Sequence, residues 1–195
     1  MKKIQTLFTL IIVAILTACG HGKKIIVYAN TDSFSVDESQ KNITFTDGTT
    51  HQEKELEFGG SPVTLTIQSP SGKYTVDAAD DGLYILNLQK DTLVGSFQHI
   101  GADNGKVIYT PELIKHTVDS LNQLITGTNI SAANKNYFLA PGKILKITAN
   151  TGAKIYGPYT TIPSGLDAST VSELYKFYTV KDVREIMDKL TGMVK

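Results

Sequence analysis

Apolar and polar residues follow two periods along this chain. From Lys24 to about Ile100 the segments IIVYA (25–29), SFSV (33–36), NITFT (42–46), KELEF (54–58), VTLTI (63–67), KYTV (73–76), LYILNL (83–88) and TLVGSF (92–97) are short and rich in β-branched and aromatic residues, the composition of strands. They are separated by Asn30-Thr31-Asp32, Asp47-Gly48, Gly59-Gly60-Ser61-Pro62, Ser69-Pro70-Ser71-Gly72 and Asp80-Asp81-Gly82, each suited to a turn. Strands at this spacing predict an antiparallel sandwich or barrel.

After Gly101-Ala102-Asp103-Asn104-Gly105 the period changes to three and four. Thr110 can cap a helix with Pro111 in first position and Glu112 in the first turn. Leu113, Ile114, Val118, Leu121, Leu124 and Ile125 then line one face up to Gly127. Strands return at YFLA (137–140), KILKIT (143–148) and AKIYGPYTTI (153–162), with Pro141-Gly142 and Asn150-Thr151-Gly152 as turns. KILKIT and AKIY read as neighbours in a second, smaller sheet. A last helix follows Thr179, which forms an approximate capping box with Asp182, and carries Val180, Val183, Ile186, Met187 and Leu190 on one face. LYKFYTV (174–180) fits either a strand or a helix tail. The expected fold is therefore mainly β with an α+β C-terminal part: a sandwich over 24–100, then a small sheet packed with two amphipathic helices over 101–195, with the boundary near 100–106.

The N-terminus reads differently. Lys2 and Lys3 precede an uncharged, largely apolar run from Ile4 to Leu16, a basic start followed by a short hydrophobic core. A helix needs roughly 20 apolar residues to span a bilayer, so this run predicts an export signal rather than a permanent span. Leu16-Thr17-Ala18-Cys19 resembles the lipobox of bacterial lipoproteins. The resemblance implies that residues 1–18 are a signal peptide, that the Cys19 sulfur receives a diacylglycerol, and that the new amino terminus is acylated, with palmitate-class chains. Two or more chains make membrane anchoring stable, whereas one does not. Residues 19–23 form a lipidated tether, too short to carry the body far from the bilayer. Gly20, with no acidic residue beside it, resembles outer-membrane sorting towards the periplasm. SPSGKYTV (69–76) followed by DDGLYILNL (80–88) also loosely resembles a strand of the PEGA-type sandwich modules of bacterial envelope proteins, which supports the fold class.

Charge and composition then narrow the chemistry. The whole chain balances 19 basic against 19 acidic side chains, and loss of Lys2 and Lys3 leaves a slight acidic excess. Nucleic acid, which needs a concentrated basic surface, is not an expected partner. Cys19 is the sole cysteine, so disulfides, thiol catalysis and zinc thiolates are not expected. His51, Glu53, Glu55 and Glu57 would share a strand face, but carboxylates two residues apart diverge, and the row reads as solvated rather than as a metal site. Asp77, Asp80 and Asp81 read as a turn; their spacing does not match a calcium loop. Gly101–Lys106 lacks the spacing and hydroxyl of a phosphate loop. No serine-nucleophile motif is present, and His21, His51, His99 and His116 have no evident partner carboxylate.

Tyrosine is the one enrichment, nine residues with no tryptophan. Tyr156, Tyr159, Tyr175 and Tyr178 cluster around Gly157-Pro158 and could form a sugar- or peptide-stacking surface, or serve as ordinary half-buried strand residues. The reading is a non-enzymatic envelope lipoprotein, held by its lipid and without other cofactor or metal, that binds an envelope protein or glycan near the membrane. The alternative is a structural or assembly subunit docked through its C-terminal helix. A hydrolase with a convergent site ranks third.

Overall fold

The computed structural model describes residues 22–99, 110–131, 133–166 and 170–194. The expected signal peptide, Cys19 and the 101–105 turn lie outside them. The described chain is mainly β, with three four-stranded sheets and two helices.

The central sheet has the order β10 (Lys143–Thr148), β7 (Gly82–Asn87), β1 (Lys23–Asn30), β4 (His51–Phe58). A second sheet orders β2 (Phe34–Asp37), β3 (Asn42–Phe45), β5 (Val63–Ser69) and β6 (Gly72–Ala78). The third orders β11 (Lys154–Tyr156), β12 (Leu174–Thr179), β8 (Leu93–Phe97) and β9 (Asn136–Leu139). Helices α1 (Pro111–Thr126) and α2 (Val180–Gly192) complete the fold.

Side-chain alternation explains the layering. On β1, Ile25, Val27 and Ala29 pack with Ile43, Leu65, Ile67 and Val76 of the second sheet. Ile26 and Tyr28 point the other way, into a core with Leu93, Tyr137, Leu139, Tyr175 and Phe177 of the third. A strand buried on both faces needs a continuous apolar run, which is what IIVYA and LYIL supply. The outer face of the third sheet is covered in turn by the helices, through Val94, Leu124, Val180 and Val183. The stack is thus sheet, sheet, sheet, helix pair.

Each sheet contains one parallel pair, β1 with β7, β3 with β5, and β11 with β12, so the pairing is mixed where an antiparallel pattern was expected. KILKIT and AKIY do not pair with each other. β10 joins β7 in the central sheet and β11 joins β12 in the third. The reason lies in burial: Ile144 packs in one core and Leu145 and Ile147 in the other, a two-sided pattern that suits the central layer. Asn150 closes the connection by accepting from the Gly152 N–H at 2.9 Å, making a corner between stacked sheets rather than a hairpin. Pairing also crosses the boundary expected near 100–106, since β10 completes the sheet of β1, β4 and β7, while β8 lies between β9 and β12.

Both helices begin at the caps expected. Thr110 accepts from the Leu113 N–H at 3.2 Å, and Gly127 closes α1 at φ 70°. Thr179 and Asp182 satisfy each other's backbone N–H at 3.0 and 3.2 Å. The ambiguous segment 174–180 is a strand up to Thr179, paired with β8 from Tyr175 to Thr179.

Candidate functional site

β1 sets the long axis. Its eight residues, at about 3.3 Å each, span roughly 25 Å, and β7 runs parallel beside it. At the Lys23 end the Lys23 ammonium is 1% exposed, paired with Asp81 at 3.0 Å and donating to the Gly60 carbonyl at 3.4 Å.

The other end is chemically richer. Tyr28 and Asn30 project towards the third sheet, and the register places Glu53 opposite Tyr28 and His51 opposite Asn30. The His51 imidazole stacks parallel to the Tyr28 ring at 6.2 Å and is covered by the Tyr159 ring at 4.1 Å. Tyr159 belongs to the loop that follows β11, and the loop lies close because Gly157 has no side chain; a Cβ there would overlap the Tyr28 ring. Lys176, 6% exposed on β12, pins the loop by donating to the carbonyls of Gly157 at 2.5 Å and Thr160 at 2.8 Å. Its ammonium also lies 4.7 Å from the Tyr178 ring centre. Pro158, Tyr159, Thr160, Thr161, Ile162, Lys176 and Tyr178 enclose an open cavity of about 390 Å³.

Electrostatics follow burial. Desolvation lowers the Lys176 pKa, with Asp182 and Glu53 acting against it. Burial also holds the His51 imidazole below its ordinary 6.5, keeping it neutral. Glu53, though exposed, is pushed up by partial desolvation against its neighbours and by the charge of Glu55, and Lys176 counters this. The Tyr28 hydroxyl is raised, again chiefly by burial and then by Glu53.

The four tyrosines singled out by sequence separate. Tyr159 is exposed and Tyr178 half-buried, and both line the cavity. Tyr156 is half-buried on β11. Tyr175 is 1% exposed, its ring set edge-on to Phe97 and Tyr137 and its hydroxyl donating to Glu173 at 3.2 Å, so it belongs to the core and not to a binding surface. Tyr175 and Tyr178 are three apart, and on a strand that spacing puts them on opposite faces.

Of the His51 row, Glu53, Glu55 and Glu57 are exposed, with Glu55 paired to Lys24, while Leu56 and Phe58 pack inward. His51 itself is half-buried beneath Tyr159 rather than solvated. Among the described residues no cluster of three or more His, Cys, Asp or Glu could hold a metal ion. Asp81 serves Lys23, and Asp80 lies 3.8 Å from Lys146. His99 and His116 are exposed. Sequence reading missed Lys176, although a cation inside the apolar strand LYKFYT was a visible signal of a special contact.

A second surface feature lies between the helices. Pro111, Ile114, Val118, Thr191 and Val194 border a mostly apolar groove, with Leu113, Met193 and Val194 exposed. Among the described residues no helix is long and apolar enough to cross a membrane.

No protein-family model, curated protein or solved structure matches this chain.

Proposed function

We propose that this protein is a lipid-anchored, non-enzymatic component of the bacterial envelope that binds a glycan through the aromatic cavity at the pole remote from its anchor. The lipobox-like Leu16–Cys19 supports the anchor, placed in the outer membrane and facing the periplasm. With only Gly20, His21 and Gly22 between Cys19 and β1, the Lys23 end of the body lies nearest the bilayer. The cavity then sits about one strand length, roughly 25 Å, further out. That shifts the expected site from the membrane face to the opposite pole.

The observation that carries the binding reading is the convergence of Tyr159 and Tyr178 on one cavity, with a loop fixed by a buried lysine. A preorganised aromatic wall flanked by the hydroxyls of Thr160 and Thr161 suits a sugar ring, whose apolar face stacks while its hydroxyls bond.

Two measurements test the proposal. Cys19→Ala should leave the membrane fraction and accumulate as soluble or unprocessed protein; retention of a processed variant on the membrane would refute the anchor. The full chain titrated with tri-N-acetylchitotriose should change its tyrosine emission, and Tyr159→Ala should abolish that change.

The groove between α1 and α2 favours a second reading, an assembly subunit docked through its C-terminal helix, because Leu113, Met193 and Val194 leave an apolar face uncovered among the described residues. Co-purification of a stoichiometric envelope partner lost on Val194→Asp would favour it.

A further inference from the structure

At the remote pole, connections of the second sheet meet connections of the central sheet around a cavity of about 350 Å³. β7 ends at Asn87, paired with Tyr28 of β1, and the chain then bends at Gln89 and Lys90. Strand alternation stops at that bend, so Leu88 and Gln89 both border the cavity, on the side of the second sheet. Phe45 at the end of β3, the β5–β6 turn and Tyr74 of β6 border it as well. It shares no residue with the cavity of Tyr159 and Tyr178.

Gln89 sets this cavity apart. The residue is 2% exposed, and among the described residues it alone has two buried side-chain atoms, Nε2 and Oε1, without a hydrogen-bond partner. A buried amide that makes no bond forfeits those it had in water, which is why such groups are rare. Its neighbours are apolar or already committed. Phe45 and Leu88 are buried hydrocarbon, and Pro70 and Pro141 have no N–H to give. The Ser69 and Ser71 hydroxyls share a hydrogen bond at 2.9 Å, and Ser69 also donates to the Gly72 carbonyl at 2.9 Å. The backbone around Gln89 is fixed, its N–H donating to Asn87 Oδ1 at 3.0 Å and the Gly142 N–H to the Asn87 carbonyl at 2.7 Å. At the mouth, Lys90 and Asp47 pair at 3.1 Å, both well exposed. An exposed pair of this kind contributes little, so its side chains swing aside easily.

We propose that this cavity is a second binding site, independent of the glycan reading, for a neutral, extended peptide segment of a partner protein whose main chain Gln89 reads. In an extended chain the N–H and C=O of one residue point to the same side, so one carboxamide can accept from the first and donate to the second. Gln89 offers that acceptor and donor in one plane, with no charge. Phe45, Tyr74 and Leu88 bound an apolar space for a side chain beside the paired residue. A saccharide suits the site less, because the trans amide of an acetamido group points its N–H and C=O in opposite directions and the carboxamide meets only one of them. Asp47 and Lys90 neutralise each other, which disfavours an ionic ligand. Entry displaces that pair and brings the peptide main chain onto Gln89.

The test titrates the full chain, labelled with ¹⁵N and held in detergent, with N-acetyl-Ala-Phe-Ala-amide. A matched ester analogue has phenyllactate in place of Phe, so that oxygen replaces one N–H. The tripeptide should shift the amide resonances of residues 69–74 and 88–90, and the ester should bind about tenfold more weakly, through the loss of a hydrogen bond to a buried acceptor. Gln89→Leu should bind amide and ester equally, with its unliganded melting temperature unchanged or higher, since two unsatisfied buried groups are gone. Equal affinity of amide and ester for the wild type overturns the main-chain reading without requiring any variant to fold. A persisting preference for the amide in Gln89→Leu overturns it too, and so does a lower melting temperature, which would show that the carboxamide serves the fold. Stronger binding of adenosine or tri-N-acetylchitotriose at residues 69–74 and 88–90 overturns the peptide assignment, and absence of any shift there with the tripeptide overturns the site. Tyr159→Ala should leave the tripeptide affinity unchanged, and a loss would overturn the independence of the two cavities.

Discussion

The two faces of the central sheet are built on opposite rules. Towards the second sheet, β1 and β7 present Ile25, Val27, Ala29, Tyr84, Leu86 and Leu88 to a wall of Ile43, Leu65, Ile67 and Val76, and the one phenol among them, Tyr84, donates to the Asp80 carbonyl at 2.8 Å. Towards the third sheet the same strands present Ile26, Leu83 and Ile85 first, then Tyr28 and Asn30 near the remote pole. There Tyr28 Oη, Asn30 Oδ1 and His51 Nδ1 lack hydrogen-bond partners among the described residues. The first interface is organised for cohesion. The second leaves hydrogen bonds unmade at one end.

Four substitutions test that contrast, taken from the largest expected effect. Ile67→Ala, at a fully buried position of the second sheet, should cost about 2–5 kcal/mol in a denaturant titration; a cost below about 1 kcal/mol would mean that this interface is not the stabilising one. Gly157→Ala places a methyl against the Tyr28 ring and should cost about 1–3 kcal/mol, because either the loop or the ring must move.

The third effect is a pH dependence. Burial lowers the His51 pKa, so the folded protein binds fewer protons there than the unfolded chain. Its stability contribution is complete above the ordinary 6.5 and is lost as pH falls through that value. Glu53, pushed up by partial desolvation and by the charge of Glu55, acts in the opposite sense and nearer its ordinary 4.5. Unfolding of the wild type against His51→Phe between pH 7.5 and 5.5 should therefore show a decline in stability on acidification in the wild type and a flatter profile in the variant. The smallest effect belongs to Tyr28→Phe. Removing an unpartnered hydroxyl should leave stability unchanged or raise it by up to ~1 kcal/mol; a loss like that of Ile67→Ala would show that both faces obey the same rule.

Much of the fold was legible because its signals are local. Ten of the twelve strands described begin and end within about three residues of where turn chemistry and β-branched runs put them, and Thr110, Gly127, Thr179 and Asp182 terminate helices by hydrogen bonds that their own side chains or backbone supply. The segment 174–180 resisted because LYKFYTV is apolar at nearly every position, and its strand form follows from the antiparallel partner β8. The candidate site was half legible. Tyr159 and Tyr178 stood out as tyrosines near a Gly-Pro break, and both border one cavity. His51 looked like one end of a solvated row, and only the loop over β4 buries it.

What the sequence by itself determined is a chain of short strands and two capped helices, because alternation and capping depend on neighbours a few residues away. Tertiary structure alone decided that β10 joins β7 instead of β11, that Tyr175 is core while Tyr178 lines a cavity, and that His51, Tyr159 and Lys176 meet. The physical reason is that side-chain period fixes which residues share a face but not which face it meets. That choice is made by burying both sides of β1 and β7 at once, a demand that no single strand expresses.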